Sequence, residues 1–243
     1  MAAENSQNPE ARFAIYFAPE PDDPWWRFGV GWLGADPATG DRIQAPAVPG
    51  ISRSMWEQIT AGPRFYGWHA TLKPPFQLDP GFTEEALITR LSDFARTRAP
   101  FALPGLSVQT LSGFLALRLT SPCPEIHQLA DSCVKEFDDF RKPESPQESA
   151  KRDRAELTDR QRGMLKRWGY PYVLDEFRFH MTLTEKLGDA ALPLFASALT
   201  RLAGTLPERK VPVTGLCVYY QPDRVTPFRL RWRIRWDGSA TRI

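Results

Sequence analysis

The stretch WHATLKPPF, residues 68–76, is echoed by FHMTLTEKL at residues 179–187. In both, an aromatic residue precedes His, one variable residue follows, and then come Thr and Leu. The chain has three histidines, and two of them, His69 and His180, stand in this phrase. His127 has no such surroundings and reads as a surface or helix-packing residue. Side chains alternate faces along a strand. His69, Thr71 and Lys73 therefore share one face, with Ala70 and Leu72 on the other. In the second copy Arg178, His180, Thr182 and Thr184 share a face opposed by Phe179, Met181 and Leu183. The apolar faces suit packing against helices; the polar faces are expected to look at each other across a groove.

The flanks repeat as well. After His69 come a strand, a helix over 84–98 carrying Leu87, Leu91 and Phe94 on one side, and a strand from Phe101, 32 residues on. After His180 come a strand, a helix near 189–203, and a strand from Val211, 31 residues on. FLALRL at 114–119 closes the first half and PFRLRWRIRW at 227–236 the second. Matching elements at matching spacing indicate an internal duplication. The expected fold is α+β, an internally duplicated two-lobe fold with two antiparallel sheets and outer helices around a central cleft. The chain, 1–243, then forms a single domain, lobe 1 spanning about 11–120 and lobe 2 about 121–243.

Further elements can be read locally. ARFAIYFAP (11–19) is an apolar strand ended by Pro19. WWRFGVGWLGAD (25–36) fits either strand or helix. A helix is predicted from Ser52 or Ser54 to about Ala61. Strands follow at 101–109 and 112–119 with Ser112-Gly113 turning between them, and helices at 124–137 and 158–168. RKPESPQESAKRDR (141–154) reads as a charged linker.

A chain of 243 residues with 42% hydrophobic and 25% charged residues has the make-up of a folded domain. Its net charge of +2 is too small to announce nucleic-acid binding by itself, so any cationic surface must be local. The three cysteines lack Cys-x-x-Cys spacing and read as reduced, buried thiols. The polar first residues do not resemble a secretory signal, and no apolar run reaches the roughly 18–20 residues of a membrane span. A cytoplasmic monomer without membrane attachment is expected.

The groove would collect two imidazoles, several hydroxyls, Lys73 and Arg178, with no carboxylate on the motif strands. Two histidines are too few for a zinc cage, so neither metal nor cofactor is expected. Hydroxyls and cations suit phosphate oxygens, and imidazoles suit proton transfer. Near pH 7 one ring is expected neutral and its partner protonated. Arg229, Arg231, Arg233 and Arg235 alternate with apolar residues, as in a solvated edge strand or a basic wall of the groove. Tyr66, Trp168, Tyr170 and Tyr172 flank the motifs and suit packing or stacking on a base or sugar.

The phrases WHATL and FHMTL resemble the paired signature of the two-histidine (2H) phosphoesterase superfamily. RFAIYFAP, WRFGVGWLG, GWHATLKPPF, GFLAL, WGYPYV and FRFHMTL together resemble a bacterial branch associated with phosphonate-utilisation operons, over about residues 11–236. The resemblance implies a metal-independent phosphodiesterase that hydrolyses a small cyclic or 2′,5′-type phosphodiester in phosphonate metabolism. It makes His69 and His180 the acid/base pair and Thr71 and Thr182 the donors to phosphate oxygens. Arg178 and Lys73 are added as phosphate-binding residues by strand parity alone. The expected partner is a small phosphate ester, with RNA ends bearing a 2′,3′-cyclic phosphate as a second candidate. A module that binds such an ester without turning it over is the alternative.

Overall fold

The computed structural model describes residues 8, 10–143, 157–207 and 209–243, so 144–154 of the expected linker lies outside the described residues. Strands are β1 (Arg12–Phe17), β2 (Ala70–Phe76), β3 (Phe101–Leu103), β4 (Leu106–Leu111), β5 (Phe114–Leu119), β6 (Met181–Thr182), β7 (Val211–Val213), β8 (Gly215–Gln221), β9 (Arg229–Arg235) and β10 (Ala240–Arg242). Helices are α1 (Pro24–Leu33), α2 (Arg53–Tyr66), α3 (Glu84–Arg96), α4 (Pro124–Glu136), α5 (Asp159–Trp168) and α6 (Leu192–Ala203). The mixed α+β class holds. The two expected sheets are unequal: one has eight strands in the order β10-β9-β8-β1-β2-β6-β5-β4, and the other pairs β3 with β7. All strand pairs are antiparallel. The chain's halves interleave, since β8 docks on β1 and β5 on β6.

β1 is buried at every position because it lies between β2 and β8 and is covered on both faces, as its unbroken apolar run requires. The ambiguous WWRFGVGWLGAD segment is helix α1, and its ends explain why. Asp23 caps the N-terminus by accepting from Trp25 N at 2.8 Å, Pro24 sits where no donor is needed, and Gly34 closes the helix at φ 74°. The single strand expected at 101–109 breaks at Pro104-Gly105, so that β3 joins the small sheet and β4 the large one. Ser112 and Gly113 both have positive φ, 48° and 88°, and make the tight turn between β4 and β5.

Helix α2 runs past the expected Ala61 and through Pro63 to Tyr66. Proline removes the donor that would pair with the carbonyl four residues back, Ile59 O. Glu185 N donates to that carbonyl instead, at 2.6 Å. The helix thereby tolerates its proline and is tied to the end of the second motif. Helix α1 is tied to both motifs: Trp68 Nε1 donates to Trp25 O at 3.0 Å, and Trp32 Nε1 donates to Leu183 O at 2.8 Å. Ala70, Leu72, Met181 and Leu183, the apolar sides of the motif strands, all belong to the main core. Cys123, Cys133 and Cys217 are free and buried. No helix among the described residues is long and apolar enough to cross a membrane.

Candidate active site

β2 and β6 are neighbours, with Ala70 paired to Met181. In an antiparallel ladder the flanking residues then fall opposite one another, His69 beside Thr182 and Thr71 beside His180. The four polar side chains of the repeated phrase occupy one sheet face as two crossed pairs, and diagonal positions of this kind lie roughly 7–8 Å apart. This corrects the expectation of polar faces meeting across a groove. The motif strands are adjacent strands of one sheet, so the histidines stand side by side. His69, Thr71, His180 and Thr182 all line a single cavity of about 670 Å³, together with Arg12, Tyr16, Tyr66, Tyr170, Tyr172 and Glu185 among others.

Each imidazole is anchored in the same way. Nδ1 of His69 meets Gly67 O at 2.8 Å, and Nδ1 of His180 meets Arg178 O at 2.7 Å. Only a protonated Nδ1 can donate to a carbonyl, so both neutral rings keep their lone pair on Nε2. Gly67 has φ 79°, a backbone position that favours glycine and turns its carbonyl back toward the His69 ring. Tyr16 stacks on His69 with ring centroids 3.7 Å apart and planes at 12°, while Phe114 flanks His180 at 5.8 Å.

Burial pushes the His69 pKa down to about 3; the Gly67 carbonyl opposes this and the charge of His180 adds to it. Burial also lowers His180, against the pull of the Arg178 carbonyl and with help from the charge of Arg118. Burial therefore favours the neutral form of both rings. A consequence for stability follows. The unfolded chain protonates His69 below about pH 6.5, whereas the folded chain resists down to about pH 3. Between these values the unfolded state binds more protons, so stability falls as pH falls, by at most ~1.4 kcal/mol per pH unit from this group. Urea unfolding between pH 4 and pH 7 should show a shallower pH slope for His69→Gln than for the wild type. Identical slopes would contradict the depressed pKa.

Lys73 does not join the motif face. A one-residue register shift lies between Thr71, opposite Tyr16, and Lys73, opposite Ile15. Such a bulge breaks the alternation on which the parity argument relied. Lys73 is 1% exposed, and its amine reaches Val134 O at 3.3 Å and Asp138 Oδ1 at 3.5 Å. Burial lowers its pKa to about 8, with Asp138 opposing. Arg178 is exposed and holds His180 through its backbone carbonyl; its side chain borders an adjoining cavity of about 510 Å³ that also touches Thr71 and His180.

The arginine strand is neither a solvated edge nor a wall of the histidine cavity. β9 lies between β8 and β10. Arg231 donates to Glu84 Oε1 at 2.6 Å, and buried Arg233 donates to Pro19 O at 2.9 Å. Tyr66, Tyr170 and Tyr172 line the cavity, and Tyr66 also stacks on Phe228. Trp168 packs beside the small cluster of Val134, Met164 and Val173 instead. His127 sets its ring edge-on to Phe177 at 5.0 Å, a packing role.

Arg12, Tyr16 and Glu185 line the cavity although the sequence did not mark them as site residues. Arg12 and Tyr16 belong to a run read only as a buried strand, although Arg12, Ala14 and Tyr16 share parity. An arginine inside an apolar strand was the available signal. Glu185 brings a carboxylate to the cavity from just beyond the second motif strand.

An α+β protein with two His-x-Thr phrases on neighbouring strands of one antiparallel sheet is the class these features define. The chain belongs to the DUF1045 family, described as "Protein of unknown function", whose model matches residues 71–229. A protein of Janthinobacterium sp. (strain Marseille) named "Ribose 1,5-bisphosphate phosphokinase PhnN" is 38% identical over 235 residues, covering 95% of this chain and 52% of its own length. One of the same name from Laribacter hongkongensis (strain HLHK9) is 36% identical over 226 residues, covering 93% of this chain and 52% of its own length. The chain spans about half the length of these curated relatives. Their names overturn the expected phosphodiester hydrolase, because a phosphokinase is a transferase that moves a phosphoryl group and does not hydrolyse a diester.

Proposed function

We propose that this chain binds a small phosphorylated sugar of phosphonate metabolism, with His69 and His180 exchanging protons with the bound phosphate and Thr71 and Thr182 donating to its oxygens. One observation carries this reading: the pairing of Ala70 with Met181 sets both histidines and both threonines on one sheet face, lining one cavity. The two histidines stand at diagonal positions of paired strands and line one cavity, so their Nε2 atoms can approach one tetrahedral phosphate. A phosphate monoester is largely dianionic at pH 7. Its arrival raises the proton affinity of rings that burial had lowered, so binding draws in a proton and creates a charge-assisted contact.

The names of the relatives supply the chemical class, a ribose bearing phosphates, and their Phn designation agrees with the phosphonate-operon resemblance. The present sequence contains no Gly-Lys dipeptide, hence no Gly-rich phosphate loop ending in Gly-Lys-Ser/Thr. We therefore assign this chain the ester-holding share of the relatives' chemistry. The duplicated organisation, lobe 1 about 11–120 and lobe 2 about 121–243, is part of the same reading. It is supported by the recurring order β2-α3-β3-β4-β5 and β6-α6-β7-β8-β9.

Isothermal titration calorimetry with ribose 5-phosphate, in two buffers of different ionisation enthalpy, tests the proposal. The wild type should bind with net proton uptake. His69→Ala and His180→Ala should each weaken binding about 10- to 100-fold, the size of a lost hydrogen bond to a charged group, while keeping a cooperative unfolding transition. Unchanged affinity in both variants would overturn the assignment.

A further inference from the structure

Beside the histidine cavity lies a recess lined by Arg12, Lys73, Arg141, Lys142 and Arg224, together with Pro74, Pro75, Trp168 and others. Arg12, Pro74 and Pro75 line both spaces, so the two adjoin at these residues. No carboxylate lines the recess among the described residues. Asp138 stands behind it and takes up Lys73 and Arg141, the latter at 2.8 Å. Arg12, Lys142 and Arg224 have no carboxylate within ion-pairing distance among the described residues. Asp223, next to Arg224, spends its oxygens on the N–H groups of Val225 and Thr226 and on the Thr226 hydroxyl.

Arg12 is the residue that asks for an explanation. It is 9% exposed, on a strand whose other residues are all buried. Its Nε donates to Gln221 Oε1 at 2.7 Å, a second guanidinium nitrogen donates to the same oxygen, and the group lies over the Phe228 ring. Gln221 is itself fully buried and is held by donating to Thr226 O. Burying a cation against a neutral amide is costly unless a counter-charge arrives. The cost shows in Arg12 itself, whose pKa is lowered by burial first and by the charge of Arg224 second. Two cations that repel each other at the edge of the histidine cavity are arranged for an anion.

Resting on the ester-binding reading above, we propose that the site takes a small molecule carrying two phosphate groups. One phosphate lies between His69 and His180, and the other is held by Arg12 and Arg224, with Lys142 at the rim. The fixed fork of Arg12, aimed by Gln221, offers donors to a second phosphate in a defined direction. Arg224 and Lys142 are exposed and line the recess, within reach of a ligand entering from solvent.

The test compares ribose 5-phosphate with ribose 1,5-bisphosphate by calorimetry on the intact chain. The wild type should bind the bisphosphate about 10- to 100-fold more tightly, the value of one added charge-assisted phosphate contact. Arg224→Gln, an exposed change that leaves the fold alone, should erase about tenfold of that preference and leave monophosphate affinity nearly unchanged. Arg12→Gln should erase more, and Arg12→Lys, which keeps the charge but loses the fork, should restore part of it. Equal affinity of the wild type for both esters, or an Arg224→Gln preference equal to the wild type's, would overturn the second subsite while leaving the first. Binding of neither ester would remove the histidine-site reading and this one with it.

Discussion

Trp68→Ala is expected to lower the unfolding free energy by about 3–5 kcal/mol and to release His69 at the same time. Trp68 is fully buried, and its indole donates to Trp25 O at 3.0 Å. Its own carbonyl accepts from Tyr219 Oη at 2.7 Å, in the core of the sheet. Truncation leaves a cavity between α1 and β2, together with an unpaired Trp25 carbonyl. The next residue along the chain is His69, whose ring orientation depends on the carbonyl of Gly67 on the other side of Trp68. Chemical denaturation should show the full loss of stability, and ribose 5-phosphate binding should weaken even where the variant remains folded. A loss below about 1 kcal/mol would mean that the indole does not anchor the motif.

Gly29→Ala is expected to cost about 1–3 kcal/mol, because a core without spare room answers an added methyl with shifted side chains or backbone. A Cβ on Gly29 would overlap Cε2, Cδ2 and Nε1 of the Trp68 indole. The helix can approach the first motif only because this residue has no side chain. The two substitutions therefore act on one contact. In a double-mutant cycle, Gly29→Ala should cost much less in a Trp68→Ala background, with a coupling of roughly 1 kcal/mol or more. Simple additivity would refute the close approach. A helix-propensity account predicts the opposite sign for the single variant, since alanine is otherwise the better helix former.

Much of the fold was legible because local chemistry and tertiary placement agree. Thr83 with Glu84 and Glu85 marks a helix start that the structure reproduces, and the helix expected from about Thr158 begins there too, each threonine accepting from a backbone N–H three residues on. The apolar run RFAIYF announced a strand covered on both sides. Local signals ran out at WWRFGVGWLGAD, where an apolar stretch without clear period fits two structures until Asp23 and Gly34 are recognised as caps. They ran out again at Pro63, which is tolerated because a distant N–H, that of Glu185, supplies the missing bond.

At the site, the two His-x-Thr phrases and the facing of each pair along its own strand could be read from the chain. The place of Lys73 could not, because a register shift depends on the partner strand and leaves no local mark. Nor could the role of Arg12, whose chemistry comes from Gln221 and Arg224, more than 200 residues away along the chain.

The sequence by itself determined that this protein carries two equivalent polar phrases, each opposed by apolar residues that commit it to a sheet. Only the tertiary structure decided that β6 inserts directly beside β2, which makes the two phrases neighbours on one surface. The physical reason is that strand alternation is a property of a single segment, whereas strand order and register are settled by which segments pair and bury their apolar faces together.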